Sequence, residues 1–285
     1  MDNQQTYTTD YVTSKDGTKI GYRRQGRGPG LVILHGGMQA AQNFTGLAAE
    51  LANEFTLYIP DRRGRGLSGP CGENYGLQKE CEDLEALLVK TGACYVFGLS
   101  SGAVIALYGT LHLPAIRKAA LYEPPFEAGP VLNTFIQRYE REIADGKIAS
   151  ALITVLKGLS LSPLLNAIPR FLLQPLFNLS MLRDGKGKQD DVPLKALVPT
   201  FHYDNVLVQE TEGTLASYAN VRTKILLMGG GKSPAFLISV LRKLAEVLPR
   251  ARSIDFPSLD HSGPDDGGKP AMVAAQLRRF FHESD

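Results

Sequence analysis

The 285-residue sequence has no lysine- or arginine-rich block, few cysteines and no long apolar run. Each gap removes a class of protein. With 31 Lys and Arg against 29 Asp and Glu, the formal charge is +2, so the electrostatic footprint of a nucleic-acid partner is missing. No stretch approaches the ~20 consecutive apolar residues of a membrane span, and no spanning helix is expected. The start, Met1-Asp2-Asn3-Gln4-Gln5, is polar and lacks the apolar core of a secretory signal. Three cysteines, Cys71, Cys81 and Cys94, are an odd and scattered set. They make no disulfide framework, and without a matching histidine cluster they make no zinc site. A reduced cytoplasm is the expected home, with no metal or other cofactor, and the oligomeric state is left open.

What is present is alternation. An opening hairpin is expected around Asp16-Gly17. Leu31-Val32-Ile33-Leu34 is a continuous apolar run of the kind that forms a parallel strand covered on both faces. Further strands are expected at Phe55–Ile59, Ala93–Phe97, Lys118–Tyr122, Lys224–Met228 and Ser253–Phe256, with helical periodicity between them. Strands separated by helices at this spacing imply a mostly parallel α/β sheet. From about 126 to 221 the alternation stops. Helical pieces such as Val131–Ile143 and Ala149–Leu156 appear, and prolines at 163, 169, 175, 193 and 199 cut the rest short. This segment reads as a helical cap, dense in Leu164, Leu165, Phe171, Leu172, Leu176 and Phe177, inserted into a core of residues 1–125 and 222–285.

The chemistry centres on Gly98-Leu99-Ser100-Ser101-Gly102, between an apolar strand and the apolar stretch Ala103–Tyr108. A serine there sits on a sharp strand-to-helix turn, which crowds the backbone and calls for the flanking glycines. The helix N-terminus behind it offers unsatisfied N–H groups that can hold an oxyanion. His35-Gly36-Gly37-Met38 follows an earlier strand, and Asp260-His261-Ser262-Gly263 follows the last one.

This order, together with the Asp61-Arg62-Arg63-Gly64-Arg65-Gly66 loop, resembles the α/β-hydrolase superfamily, in its serine-nucleophile, esterase- or lactonase-like branch with a helical cap. The similarity covers nearly the whole chain outside the cap. It implies Ser100 as nucleophile and His261 as its base, because a serine hydroxyl is protonated near neutral pH and needs one. It also implies an oxyanion hole made by the N–H of Ser101 with that of Gly37 or, alternatively, Met38. One position departs from the pattern. Many members carry an aspartate after the strand that follows the cap, and here Ser233 stands in that place, before Pro234, where it suits a helix N-cap.

The expected triad acid is therefore Glu123, at the end of the strand after the elbow helix; some members place the acid there. Asp260 adjoins His261 too closely to hold its ring, and Asp265 and Asp266 are expected to be solvated. Asp204 and Glu210 in the cap come next. The leading reading is a serine hydrolase that cleaves a carboxylic ester or lactone of an apolar small molecule. Carbon–carbon bond and peptide hydrolysis use the same triad and stay open. A ligand-binding protein on a degenerate hydrolase scaffold is the rival from another class.

Overall fold

The computed structural model describes residues 7–183 and 190–283; the polar start Met1–Gln5 lies outside the described residues. The strands are β1 (Thr8–Thr13), β2 (Lys19–Gly26), β3 (Gly30–Leu34), β4 (Thr56–Pro60), β5 (Tyr95–Leu99), β6 (Lys118–Tyr122), β7 (Lys224–Gly230) and β8 (Ala251–Phe256). They form one eight-stranded sheet in the order β1-β2-β4-β3-β5-β6-β7-β8. β2 pairs antiparallel with both β1 and β4, and all the other pairings are parallel. The apolar run of β3 explains its place near the middle: Leu31, Val32 and Ile33 are wholly buried, as a strand covered on both faces must be.

The helices before β6 are α1 (Thr45–Leu51), α2 (Leu77–Thr91) and α3 (Ser101–His112). Between β6 and β7 come α4 (Gly129–Leu132), α5 (Ile136–Ala144), α6 (Ile148–Gly158), α7 (Pro163–Ala167), α8 (Arg170–Arg183), α9 (Leu194–Leu197) and α10 (Phe201–Gln209). The chain closes through α11 (Ala235–Val247) and α12 (Pro270–His282). One apolar cluster joins α2, α3 and α11 to one face of the sheet, and a second joins α1 and α12 to the other. A third, with Tyr139, Leu152, Val155 and Val198, lies within the segment between β6 and β7.

Two local expectations change. Val131–Ile143 is not one helix but the short α4 followed by α5. Pro175 does not break the chain; it lies inside α8. Of the apolar residues in which this segment is dense, Leu164, Phe171, Leu172 and Leu176 are 54–73% exposed. Tyr139, Leu152 and Val198, from other helices of the same segment, supply its interior instead.

Among the described residues no helix is long and apolar enough to cross a membrane.

Candidate active site

β5 runs into α3 through Ser100, whose backbone stands at φ 55° and ψ −124°. Few non-glycine residues tolerate that conformation, and it persists only where the surroundings enforce it. The enforcement is visible at the two glycines. A Cβ on Gly98 would lie 2.4 Å from the Gly102 carbonyl oxygen, and one on Gly102 would lie 2.3 Å from that of Leu34. The Ser100 N–H donates to the Tyr122 carbonyl at 2.9 Å, which ties the turn to the end of β6. Ser101 is the first residue of α3, so its N–H belongs to the first turn and has no acceptor in its own helix.

Glu123 follows β6 directly and is fully buried. Its backbone is also left-handed, at φ 48°. One carboxylate oxygen accepts from the Gly230 N–H at 2.6 Å; the other lies 2.6 Å from His261 Nδ1. A carboxylate oxygen accepts, so Nδ1 is the ring nitrogen that donates in this contact, and Nε2 is the one left for the serine side. The histidine loop is pinned beside it by the Tyr122 hydroxyl, which donates to the Asp260 carbonyl at 2.7 Å.

The other carboxylates are placed elsewhere. Asp260 accepts from the Ser262 N–H at 3.0 Å, within its own turn. Asp266 accepts from the Thr45 hydroxyl and from the Gly46 N–H. Glu210 accepts from the Leu77 N–H at 2.7 Å, at the start of α2. Asp265 was expected to be solvated and is not. It is half-buried, accepts from Gln39 Nε2 at 2.7 Å, and burial pushes its pKa up to about 6 against the pull of the Gly267 N–H, His261 and Gln39. Ser233 is also corrected. Pro234, not Ser233, occupies the N-cap of α11, and the buried Ser233 hydroxyl has no hydrogen-bond partner.

The loop after β3 is held by polar contacts. Gln39 accepts from the Gly36 N–H at 2.9 Å. His35 is completely buried, with Nδ1 3.0 Å from the Gly36 carbonyl and Nε2 accepting from the Arg62 N–H at 3.1 Å. Burial, reinforced by Arg65 and Arg62, holds its pKa well below the usual imidazole range, so the ring is neutral. Met38 adopts φ 54° and packs against the apolar cluster of the insertion.

A buried polar cluster that sequence reasoning did not identify adjoins this loop. Asp204 on α10, 3% exposed, accepts from the Ser101 hydroxyl at 2.8 Å, Arg62 at 2.9 Å and Arg65 at 2.7 Å. Arg62 also pairs with Glu80 at 2.9 Å. Burial opposes the charge on Asp204, but Arg65 and Arg62 outweigh it and hold the carboxyl below its usual range. A signal was available: three arginines in the six-residue loop 61–66 of a nearly neutral chain demand acidic partners once that loop is buried.

Ser100, Ser101, His261, Gly37 and Asp204 line one cavity of about 40 Å³. Its remaining wall is mostly apolar, with Leu132, Leu159, Leu161, Phe201 and Val208 from the insertion and Phe236 from α11. A wider groove of about 600 Å³ opens at the opposite ends of the strands, beside Arg117 and Arg250, away from these groups. Among the described residues, no group of three or more His, Cys, Asp or Glu could hold a metal ion.

A mostly parallel sheet with a serine elbow and a carboxylate-bound histidine at its strand ends is the framework of a hydrolase. The chain belongs to the alpha/beta hydrolase family, whose model matches residues 31–276. An uncharacterized hydrolase of Bacillus subtilis is 40% identical over 95 residues, 32% of this chain and 35% of that protein, so the chain spans about a third of this relative. A cis-3-alkyl-4-alkyloxetan-2-one decarboxylase of Shewanella oneidensis is 24% identical across 96% of this chain and 89% of its own. Among solved structures, an alpha/beta hydrolase from Sphaerobacter thermophilus superposes with a TM-score of 0.75 at 28% identity, covering 95% of this chain and 100% of that one. The Rhodococcus esterase RhEst1 shares the fold, with a TM-score of 0.70 at 18% identity over 97% of this chain and 98% of its own. The chain is thus a member of the alpha/beta hydrolase family and shares its fold with esterases such as RhEst1.

Proposed function

We propose that the enzyme is a serine hydrolase that cleaves a carboxylic ester or lactone of an apolar small molecule through an acyl-enzyme on Ser100. The observation that carries this reading is the 2.6 Å contact between Glu123 and His261 Nδ1, with His261 and Ser100 lining the same cavity. It places a carboxylate on the histidine although Ser233 stands where many members carry the acid, and so supports the catalytic reading over a non-catalytic binding protein. His261 Nε2 takes the Ser100 proton as Oγ attacks the acyl carbon, while Glu123 stabilises the imidazolium. The N–H groups of Ser101 and Gly37 receive the oxyanion, and Gly37, which lines the cavity, suits this better than Met38. Collapse of the tetrahedral intermediate returns the proton to the leaving alkoxide, which in a lactone stays attached to the acyl group. Water then attacks the acyl-enzyme with His261 again as base, releasing the acid and restoring Ser100.

The apolar wall supports an uncharged substrate with hydrocarbon arms. The Shewanella relative, named for an oxetan-2-one with two alkyl groups, acts on a substrate of that description. The segment between β6 and β7 acts as the cap, supplying most of the cavity's apolar wall. S100A tests the assignment. It is expected to abolish ester turnover and fluorophosphonate labelling with an unchanged melting profile; turnover above a few per cent of wild type refutes it. With a dialkyl β-lactone the expected product is the hydroxy acid, and release of carbon dioxide and an alkene would overturn the hydrolytic reading.

A further inference from the structure

We infer that Asp204 is a positioning residue that holds the oxyanion hole in place from the α10 side. The inference deepens the proposed reading of Ser100 and rests on it.

One carboxylate is bonded to one of the two segments whose N–H groups receive the oxyanion and lies beside the other. Its Oδ1 accepts the Ser101 hydroxyl proton at 2.8 Å, and Ser101 is the first residue of α3. Its Oδ2 comes so near Gly37 that a Cβ built there would stand 3.2 Å away. Arg62 closes the arrangement: its Nη1 donates to Asp204 at 2.9 Å, to the Ser101 hydroxyl at 3.0 Å and to the His35 carbonyl at 3.4 Å. Arg65 donates to Oδ2 at 2.7 Å. The elbow helix, the loop after β3 and α10 therefore meet at a single buried anion.

Stability alone does not account for such a cluster. A well-packed apolar set of the same volume is often as stable as a buried ion pair or more so. What apolar packing cannot do is orient a hydroxyl and a peptide N–H to a fraction of an ångström, and an error of about 1 Å in such a group can cost on the order of 10² in rate.

D204N tests this with three readouts. The expected result is a kcat lower by about 10- to 100-fold with KM for an ester within roughly threefold. The Ki for an alkylboronic acid, which forms a tetrahedral adduct on serine, should rise by the same factor as kcat falls, since transition-state mimics report interactions made only there. The Kd for the product carboxylate should not change. D204N also leaves two buried guanidiniums with one acid fewer, so S101A provides a second arm that keeps every charge. It should move kcat and boronate Ki together by about 3- to 10-fold, and the double variant should lose less than the product of the two, because residues in one network are not additive. A boronate adduct as tight in both variants as in wild type overturns the inference. So does an equal weakening of boronate and product binding, which is what a merely structural role produces. A wild-type protein that forms no boronate adduct on Ser100 overturns the nucleophile assignment itself, and this inference with it.

Discussion

β6 and β7 lie side by side in parallel register, Tyr122 against Met228, and end at the same edge in opposite chemistry. β6 ends in Glu123, fully buried and bonded to His261. β7 runs on to a turn holding Ser233, also buried, whose hydroxyl bonds to nothing. The carboxylate that meets His261 Nδ1 therefore comes from the end of β6 and not from the turn after β7. Both strands still contribute. β6 brings the charge, and β7 brings the Gly230 N–H that donates to the other carboxylate oxygen at 2.6 Å. A carboxylate held by two donors in a buried site is fixed in place, which is what orienting an imidazole requires.

The sharpest way to break this comparison is E123Q. The amide keeps the shape and one acceptor but faces Nδ1 with the wrong partner, so kcat for an ester should fall toward the order of 10⁴, the cost of neutralising a triad acid elsewhere. A loss under tenfold would show that the end of β6 is not the source of the acid.

A smaller effect comes from Asp265, near the same histidine but bonded to Gln39. Burial raises its pKa from 3.8 to about 6, so in the window between those values the folded state binds more protons than the unfolded chain. Stability must then fall as pH rises through the window and level off above it. The wild-type-minus-D265N difference in unfolding free energy should therefore drop by an amount of order 2 kcal/mol between pH 4 and pH 7. Denaturant titrations at several pH values measure it, and a flat difference would show that Asp265 titrates normally. Gln39, the Gly267 N–H, His261 and Asp266 are the groups that set this titration.

The smallest effect is expected at the other strand end. A serine acting as N-cap would cost ~1 kcal/mol when replaced by alanine. Because the Ser233 hydroxyl is buried without a partner, S233A should instead be neutral or slightly stabilising, within about 0.5 kcal/mol, with kcat unchanged. A clear loss of stability would mean the hydroxyl is bonded after all.

Much of the candidate site's geometry was legible in the residues alone because its signals are local. Gly98 and Gly102 flank a turn that excludes any Cβ, and such a requirement is written within five residues. The expectation of an acid at Glu123 needed only strand order, since β5 and β6 are neighbours. The segment between β6 and β7 was legible as helical but not in its packing. Leu164, Phe171 and Leu176 are as apolar as Leu132 and Phe201, yet the first three face solvent and the last two line the cavity. Hydrophobicity says what can be buried, not which copy will be.

The sequence by itself determined the alternating α/β sheet, the elbow at Ser100 and the loop that carries His261, because backbone sterics and apolar periodicity act between near neighbours. Only the tertiary structure decided that Asp265 is half-buried, that Ser233 caps nothing, and that Asp204 closes on Arg62 across 142 residues. Burial and ion pairing depend on what the rest of the chain brings alongside a charge, and no window of sequence contains both partners.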